Sequence, residues 1–228
     1  MILTMDRVDV RLQSVPILRG LSLAVGEGEI VGLVGRNGAG KTTTLRTIMG
    51  LTRPRAGSVT FDGEDITRLD AYRRPTLGLG YMPEDRRLVP ELTVEENMLL
   101  PAWVNKQLDQ IAGLKFIYDL MPELHGMRER KAMLLSGGQQ KMVALGRALL
   151  AGTRLLLLDE PFEGVAPALA QRLSEVIATL RDEKRSALIA QSELTHAISL
   201  LDREYVIERG EIMDSAVRAK QETAAPRA

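Results

Sequence analysis

Several features are missing from this 228-residue sequence, and each absence excludes a class of protein. There is no cysteine, which excludes a disulfide framework and thiolate metal sites. The 30 Lys and Arg residues are balanced by 30 Asp and Glu residues, so a broad basic surface for nucleic acid is not expected. No apolar run approaches the roughly 20 residues that cross a bilayer, and the first residues lack the apolar core of a signal peptide. We therefore expect a soluble, cytoplasmic protein with no nucleic-acid partner.

Strand-like and helix-like segments alternate along the chain, which indicates an α/β fold. Hydrophobic residues make up 45% of the sequence, enough for a buried core in a chain of this length. Short apolar runs typical of strands lie at 3–12, 17–25, 30–34, 59–61, 154–158, 187–190 and 205–207, and helical patterns lie at 41–49, 94–100, 107–121 and 168–181. We predict one domain over residues 1–214, with a helical insertion at about 84–150, and a flexible polar tail over 215–228.

A glycine-rich segment between a predicted strand and a predicted helix matches the pattern G-x-x-x-x-G-K-[ST]. Its residues are Gly35, Arg36, Asn37, Gly38, Ala39, Gly40, Lys41 and Thr42, followed by Thr43. Glycine lets the backbone N–H groups fold around an anion, and the helix start adds the positive end of its dipole. Lys41 supplies a charge for the β- and γ-phosphates, and the Thr42 hydroxyl suits Mg²⁺. The segment predicts a nucleoside triphosphate site, against the alternative of a glycine-rich turn with a chance lysine.

An acidic pair, Asp159 and Glu160, directly follows four leucines. Ligands of open α/β sheets bind outside the carboxyl ends of the strands, so both carboxylates are placed near the phosphates. We expect Asp159 to hold Mg²⁺, directly or through water, and Glu160 to polarise or deprotonate the attacking water. The alternative is a turn that caps the next helix, which Pro161 makes plausible.

A third segment, Leu135-Ser136-Gly137-Gly138-Gln139-Gln140, precedes a helical stretch at 141–150. Ser136 alone could be a simple N-cap, but with two glycines it also forms a second anion-binding helix start. Together with the phosphate loop and the acidic pair, this segment resembles the signature of ATP-binding-cassette (ABC) ATPases. The resemblance covers nearly the whole chain.

This resemblance implies an α/β fold with a P-loop NTPase core, a helical subdomain insertion and an N-terminal antiparallel β subdomain. It also implies ATP and Mg²⁺ as cofactors and ATP hydrolysis coupled to transport. In the family, two subunits form a head-to-tail dimer. Each ATP would lie between the phosphate loop of one subunit and the signature residues of the other, here Ser136, Gly137, Gly138 and Gln139.

The sequence at residues 37–43, 81–86, 92–97 and 163–167 is similar to that of the short F-type ATPases of branched-chain amino acid importers. That group implies a second ATPase subunit, in a homodimer or a heterodimer, and integral membrane permeases. It implies, indirectly, an extracytoplasmic solute-binding protein. The subunit would lie peripherally on the cytoplasmic face of the inner membrane. We expect the polar residues at 84–87 and 93–97 to receive the permease, against the alternative of a solvated face.

Three positions depart from the general ABC pattern. Leu12 stands where an aromatic residue usually stacks on adenine, and loses an aromatic term of about 0.5–1.5 kcal/mol. Glu84 replaces the glutamine that usually contacts Mg²⁺, a change that the branched-chain group shares. Ser192 replaces the switch histidine and can donate a hydrogen bond to a γ-phosphate without carrying charge. His196 is a weaker alternative for that role.

These departures leave alternative functions open. Beside a transport ATPase, the sequence allows a nucleotide-binding module that hydrolyses little without a partner ATPase. It also allows an ABC ATPase with no membrane partner, although such proteins usually carry a coiled-coil insertion or two cassettes, neither of which fits in 228 residues.

Overall fold

The computed structural model describes residues 1–193 and 198–217. Its strands are β1 (Leu3–Leu12), β2 (Val15–Val25), β3 (Ile30–Val34), β4 (Ala56–Phe61), β5 (Glu64–Asp65), β6 (Leu79–Met82), β7 (Leu155–Asp159), β8 (Ser186–Gln191), β9 (Arg203–Glu208) and β10 (Glu211–Val217). Its α-helices are α1 (Lys41–Ile48), α2 (Val94–Val104), α3 (Gln110–Leu120), α4 (Pro122–Gly126), α5 (Gly137–Ala151) and α6 (Pro167–Ala178). Short 3₁₀ segments occupy Ala71–Leu77, Ala132–Leu134 and Ile198–Leu200.

A six-stranded sheet forms the centre of the molecule, in the order β10-β9-β3-β8-β7-β6. Neighbouring strands from β9 to β6 pair in parallel, and β10 pairs antiparallel with β9. Side chains alternate between the faces: Leu156 and Leu158 join a cluster with α5 and α6, whereas Leu155 and Leu157 join one with α1 and the second sheet. Because both faces are covered, β7 is apolar throughout its leucine run.

The second sheet is antiparallel, in the order β2-β1-β4-β5, and it is built from the first third of the chain. The helices α2, α3, α4 and α5 follow one another between β6 and β7, in the segment where we predicted a helical insertion. The parallel core, the antiparallel sheet and the inserted helices confirm the predicted fold class. No helix in residues 1–193 or 198–217 combines the length and the apolar character needed to span a bilayer.

A buried arginine closes the end of α1, the helix that follows the phosphate loop. The Arg74 guanidinium is 1% exposed and donates to the carbonyls of Thr47 and Ile48, at 3.0 and 2.5 Å. It also donates to the carbonyls of Ile66 and Leu69, at 2.6 and 2.9 Å. A cation at a helix C-terminus complements the helix dipole. Arg74 therefore joins α1 to the chain that follows β5.

Several predicted boundaries differ from the structure by a few residues, and two of them concern the predicted tail and the first inserted helix. β10 continues to Val217, three residues into the segment predicted as a tail, because residues 215–217 pair with β9. Residues 218–228 lie outside the described part of the chain. α2 continues to Val104 rather than ending near residue 100, and the N–H of Asn105 still donates to the carbonyl of Pro101. The helix therefore continues past the proline.

Candidate active site

The phosphate loop lies between β3 and α1, as predicted. Gly40, directly before the helix, has a φ of 115°, which side-chain-bearing residues rarely adopt. Gly35 lies so close to β9 that a Cβ on it would be 2.3 Å from the carbonyl oxygen of Ile207. Both glycines are therefore required by this fold as well as by the chemistry of phosphate binding.

The Lys41 side chain lies across the phosphate loop and is 5% exposed. Its ammonium donates to the carbonyls of Gly35 and Arg36, at 2.6 and 3.3 Å. It also donates to Ser192 Oγ at 3.0 Å and pairs with Glu160 Oε1 at 3.1 Å. The structure therefore brings together Lys41, Glu160 and Ser192, three residues that the sequence assigned to catalysis.

Asp159 at the end of β7 is 1% exposed and faces the start of α1. The Thr42 hydroxyl donates to its Oδ1 at 3.1 Å, and the Tyr81 hydroxyl donates to its Oδ2 at 3.3 Å. Burial, with help from the charge of Glu84, raises the pKa of Asp159 to about 6, against the effect of the Thr42 hydrogen bond. Burial also raises the pKa of Tyr81, which keeps its phenol a donor.

The donors around Asp159 fit Mg²⁺. The Thr42 hydroxyl and the carboxylates of Asp159 and Glu84 supply the oxygen ligands that this ion prefers. The three residues line one cavity of about 200 Å³. In the described part of the chain no three His, Cys, Asp or Glu side chains group closely enough to hold an ion alone. Mg²⁺ is usually bound by one or two carboxylates together with phosphates and water, so this donor set is sufficient.

Glu160 is held on both carboxylate oxygens by one residue. The Ser192 hydroxyl is 2.5 Å from Oε1, and the Ser192 N–H donates to Oε2 at 3.0 Å. Asn37 Oδ1 lies 2.8 Å from the same hydroxyl, which has only one hydrogen and also accepts from Lys41. Ser192, which we predicted to donate to a γ-phosphate, thus lies between Glu160, Asn37 and Lys41 at the phosphate loop.

The backbone of Glu160 is unusual, with a φ of 48°. A left-handed conformation in a residue with a side chain costs about 1–3 kcal/mol and needs support from its surroundings. The Glu160 N–H donates to the carbonyl of Ala190 at 2.9 Å, and the buried ammonium of Lys141 donates to the Glu160 carbonyl at 2.8 Å. These contacts supply the support that the Glu160 backbone conformation needs.

A cavity of about 390 Å³ opens over the phosphate loop, and its lining includes Ile17 but not Leu12. Leu12 lies at the far end of β1, where it pairs with Val15 and is 46% exposed. The adenine contact that we predicted for Leu12 therefore lies outside the lining of this cavity and stays a prediction. The carbonyl of Ile17 passes close to Gly40, because β2 runs alongside the phosphate loop. The other lining residues are Asn37, Gly38, Gly40, Lys41, Thr42, Thr43, Glu84 and Glu160.

Glu84 lies in an exposed loop that lines both cavities. Arg86 and Arg87, which follow Asp85 in this loop, have φ angles of 62° and 46°. The guanidinium of Arg147, on α5, donates to the carbonyls of both, at 2.7 Å for Arg87. Arg86 in turn donates to the carbonyl of Gly137 at 3.4 Å. The loop is therefore tied to the helix that starts at the signature.

The signature residues form the start of α5. Ser136 is its N-cap: its Oγ accepts from the N–H of Gln139 at 3.3 Å, and Gln139 Oε1 accepts from the N–H of Ser136 at 3.0 Å. Gly137 and Gly138 occupy the first turn. None of the four lines the cavity at the phosphate loop of the same chain. The structure therefore supports the helix-start geometry and does not join the two anion-binding segments within one subunit.

Residues 93–97, which we expected to receive the permease together with residues 84–87, are partly or fully buried. Thr93 and Glu96 form a capping box at the start of α2, and the Asn97 side chain is buried. Glu95 accepts from the Tyr118 hydroxyl at 2.6 Å. These polar groups are hydrogen-bonded inside the helical segment, because a helix start must satisfy its own free N–H groups. His196, the alternative for the role of Ser192, lies outside the described residues.

Comparison with known proteins identifies the class. The model of the ABC transporter family matches residues 18–163, which is more than half of the chain. The branched-chain amino acid transport ATP-binding protein BraG of Pseudomonas aeruginosa is 36% identical, over 92% of this chain and 91% of BraG. The lipopolysaccharide export ATP-binding protein LptB of Haemophilus influenzae is 34% identical, over 93% of this chain and 89% of LptB.

Solved structures agree with this result. A nucleotide-free ATP-binding cassette from an ABC transporter has a TM-score of 0.84 at 27% identity, covering 96% of this chain and 92% of that cassette. MJ1267, an ATP-binding cassette in its ADP conformation, has a TM-score of 0.81 at 28% identity, covering 97% and 92%.

The chain belongs to the ABC transporter family. It is the ATP-binding subunit of an ABC transporter, a class of ATPase that binds ATP with Mg²⁺ and acts together with membrane permeases. The comparisons include both a subunit of amino acid transport and a subunit of lipopolysaccharide export, so the transported solute is not fixed by similarity.

Proposed function

We propose that this subunit powers an importer of the branched-chain amino acid type. The observation that carries the ATPase part is the joint placement of Lys41, Glu160 and Asp159 at the mouth of the phosphate loop. The proposal that the transporter is an importer is supported by the similarity to BraG and by the sequence of residues 81–86, which includes Glu84. A solute-binding protein is then the source of the solute.

The proposed reaction is hydrolysis of the γ-phosphate. The loop N–H groups and Lys41 bind the phosphates, and Thr42, Asp159 and Glu84 would hold Mg²⁺, which neutralises charge on the phosphates when bound. Glu160 accepts a proton from the attacking water while the water oxygen bonds to the γ-phosphorus, and the bond between the γ-phosphorus and the oxygen that bridges to the β-phosphate breaks. The products are ADP and inorganic phosphate. Ser192 holds the Glu160 carboxylate toward this space.

The adenine base would lie against Ile17, at the edge of the larger cavity. An aliphatic contact covers the ring without the preferred geometry of aromatic stacking, so base affinity is modest while phosphate binding is retained. Leu12 would contribute only if the base extended toward the end of β1.

Two subunits are proposed to close head to tail around ATP. The start of α5 presents the N–H groups of Gly137 and Gly138 on a helix whose first turn carries no acidic residue. Such a helix start attracts phosphate. Because these residues do not line their own nucleotide cavity, a second ATPase subunit is the natural source of the phosphate that they bind.

The permease is proposed to dock on the exposed loop of Glu84, Asp85 and Arg87. The exposed apolar side chain of Leu51, which lines the same cavity as these three residues, would extend this surface. Docking there would couple the membrane partner to a loop that also lines the nucleotide cavity.

The decisive experiment is purification of the full chain in mild detergent with its membrane partners, followed by reconstitution into vesicles. ATP-dependent uptake of leucine, isoleucine or valine is expected, and Lys41→Ala should abolish it. Association with permeases that export lipopolysaccharide, as the similarity to LptB would suggest, would refute the importer proposal. ATP turnover of the chain alone and with its partner ATPase separates an active subunit from a module of low activity.

A further inference from the structure

We propose that Tyr81 is a positioning residue for the metal-binding carboxylate of Asp159. The inference rests on the metal role proposed above for Asp159. The Tyr81 hydroxyl donates to Asp159 Oδ2 at 3.3 Å, on the opposite side of the carboxylate from Thr42. The two donors together fix the rotation of the carboxylate plane.

The register of the sheet explains how a residue on another strand reaches this carboxylate. Tyr81 on β6 pairs with Leu157 on β7, and Asp159 lies two residues further on the same face. Side chains alternate between the two faces along a strand, so Leu157 and Asp159 share a face, and the Tyr81 hydroxyl reaches the Asp159 carboxylate. The Tyr81 ring packs against the core cluster that contains Leu157, and this packing restrains the position of the phenol.

The effect of Tyr81 should be large because the carboxylate is buried. Asp159 is 1% exposed, so bulk water is a poor replacement for the phenol hydrogen. Groups that orient a metal ligand typically change metal affinity by about 10- to 100-fold when they are removed. Tyr81 itself has no need to contact the metal for this effect.

The test compares the affinity of Tyr81→Phe and wild-type protein for a fluorescently labelled ATP, in EDTA and in saturating Mg²⁺. Phe retains the ring and its packing and removes only the hydroxyl. In EDTA the dissociation constants should agree within about twofold, and in Mg²⁺ that of the variant should be about 10-fold higher. Tyr118→Phe is the matched control, since it also removes a phenol that donates to a carboxylate, at 2.6 Å from Glu95 in the helical segment.

The outcomes separate this inference from the function that it builds on. Equal Mg²⁺-dependent affinities for wild-type protein and Tyr81→Phe, with a clear loss in Asp159→Asn, would overturn the role of Tyr81 alone. Equal affinities in all three proteins would overturn the metal role of Asp159 as well. An equal loss in Tyr118→Phe would also contradict the inference, because the effect would not depend on contact with Asp159. Tyr81→Met, which keeps an apolar side chain of similar length, should repeat the result of Tyr81→Phe.

Discussion

Replacing Arg74 tests how the end of the phosphate-binding helix is held. The four carbonyls that its guanidinium contacts at 3.0 Å or less belong to Thr47, Ile48, Ile66 and Leu69. Those of Thr47 and Ile66 also accept a backbone N–H, at 3.0 Å each. Removal of Arg74 therefore affects chiefly Ile48 and Leu69, whose loss of a donor costs about 1–3 kcal/mol for each carbonyl, or roughly 4 kcal/mol together.

Two further effects change this figure. Arg74→Ala also removes a buried alkyl stem, for roughly 2 kcal/mol. In the opposite direction, burial lowers the pKa of Arg74 from 12.5 to about 10. This shift means that the charge costs roughly 3 kcal/mol to bury, and the variant recovers that amount. The expected net losses are about 3 kcal/mol for Arg74→Ala and about 1 kcal/mol for Arg74→Met, which keeps most of the stem.

Equilibrium unfolding in guanidinium chloride measures these differences, provided that the denaturant slope is unchanged. Gly50→Ala gives an independent approach to the same site. A Cβ at that position would lie 2.6 Å from Arg74 Nε, in a residue with a φ of 72°, so we expect a loss of about 1–3 kcal/mol. If Arg74→Met is more stable than wild type, relief of the buried charge outweighs the lost hydrogen bonds, and our reasoning is wrong.

The remaining predictions concern the nucleotide site. Glu160→Gln should bind ATP normally and lower its turnover by about 10²-fold or more, and turnover at the wild-type rate would refute the role of Glu160 as base. Ser192→Ala should lower kcat by roughly 10-fold with little change in KM for ATP, since a hydrogen bond to a charged group contributes about 1.5–3 kcal/mol. The raised pKa of Asp159, about 6 against 3.8, implies that folding favours its protonated form. In the absence of metal, its ionisation should therefore destabilise the protein as pH rises from about 4 to 6, by roughly 3 kcal/mol in full. Asp159→Asn should remove this dependence in unfolding experiments at varied pH, and an unchanged slope would contradict it.

Local patterns predicted the fold class and the phosphate loop because each depends on residues that are adjacent in the chain. The leucine run before Asp159 had to be a buried strand, and the glycines before Lys41 had to be a turn. The N-cap at Ser136 follows from the same local logic.

Local sequence patterns could not predict contacts between residues that are far apart in the chain. Tyr81 meets Asp159 only through the pairing of β6 with β7, which no motif records. Ile17 rather than Leu12 lines the cavity because of the path of β2 past the phosphate loop. Because β7 is apolar up to Asp159, its sequence does not alternate between apolar and polar residues. Only the strands and helices around β7 determine on which face of the sheet Asp159 lies.

The hydrogen bonds of Arg147 have a mechanical consequence. Its guanidinium donates to two successive carbonyls of the loop that carries Glu84. Arg147 itself lies on α5, the helix whose N-cap is Ser136. If the permease docks on this loop as proposed, a displacement of the loop would be passed through Arg147 to α5 and would move the Ser136 end of that helix relative to a neighbouring subunit. Without the hydrogen bonds of Arg147, the loop could move while α5 stayed in place.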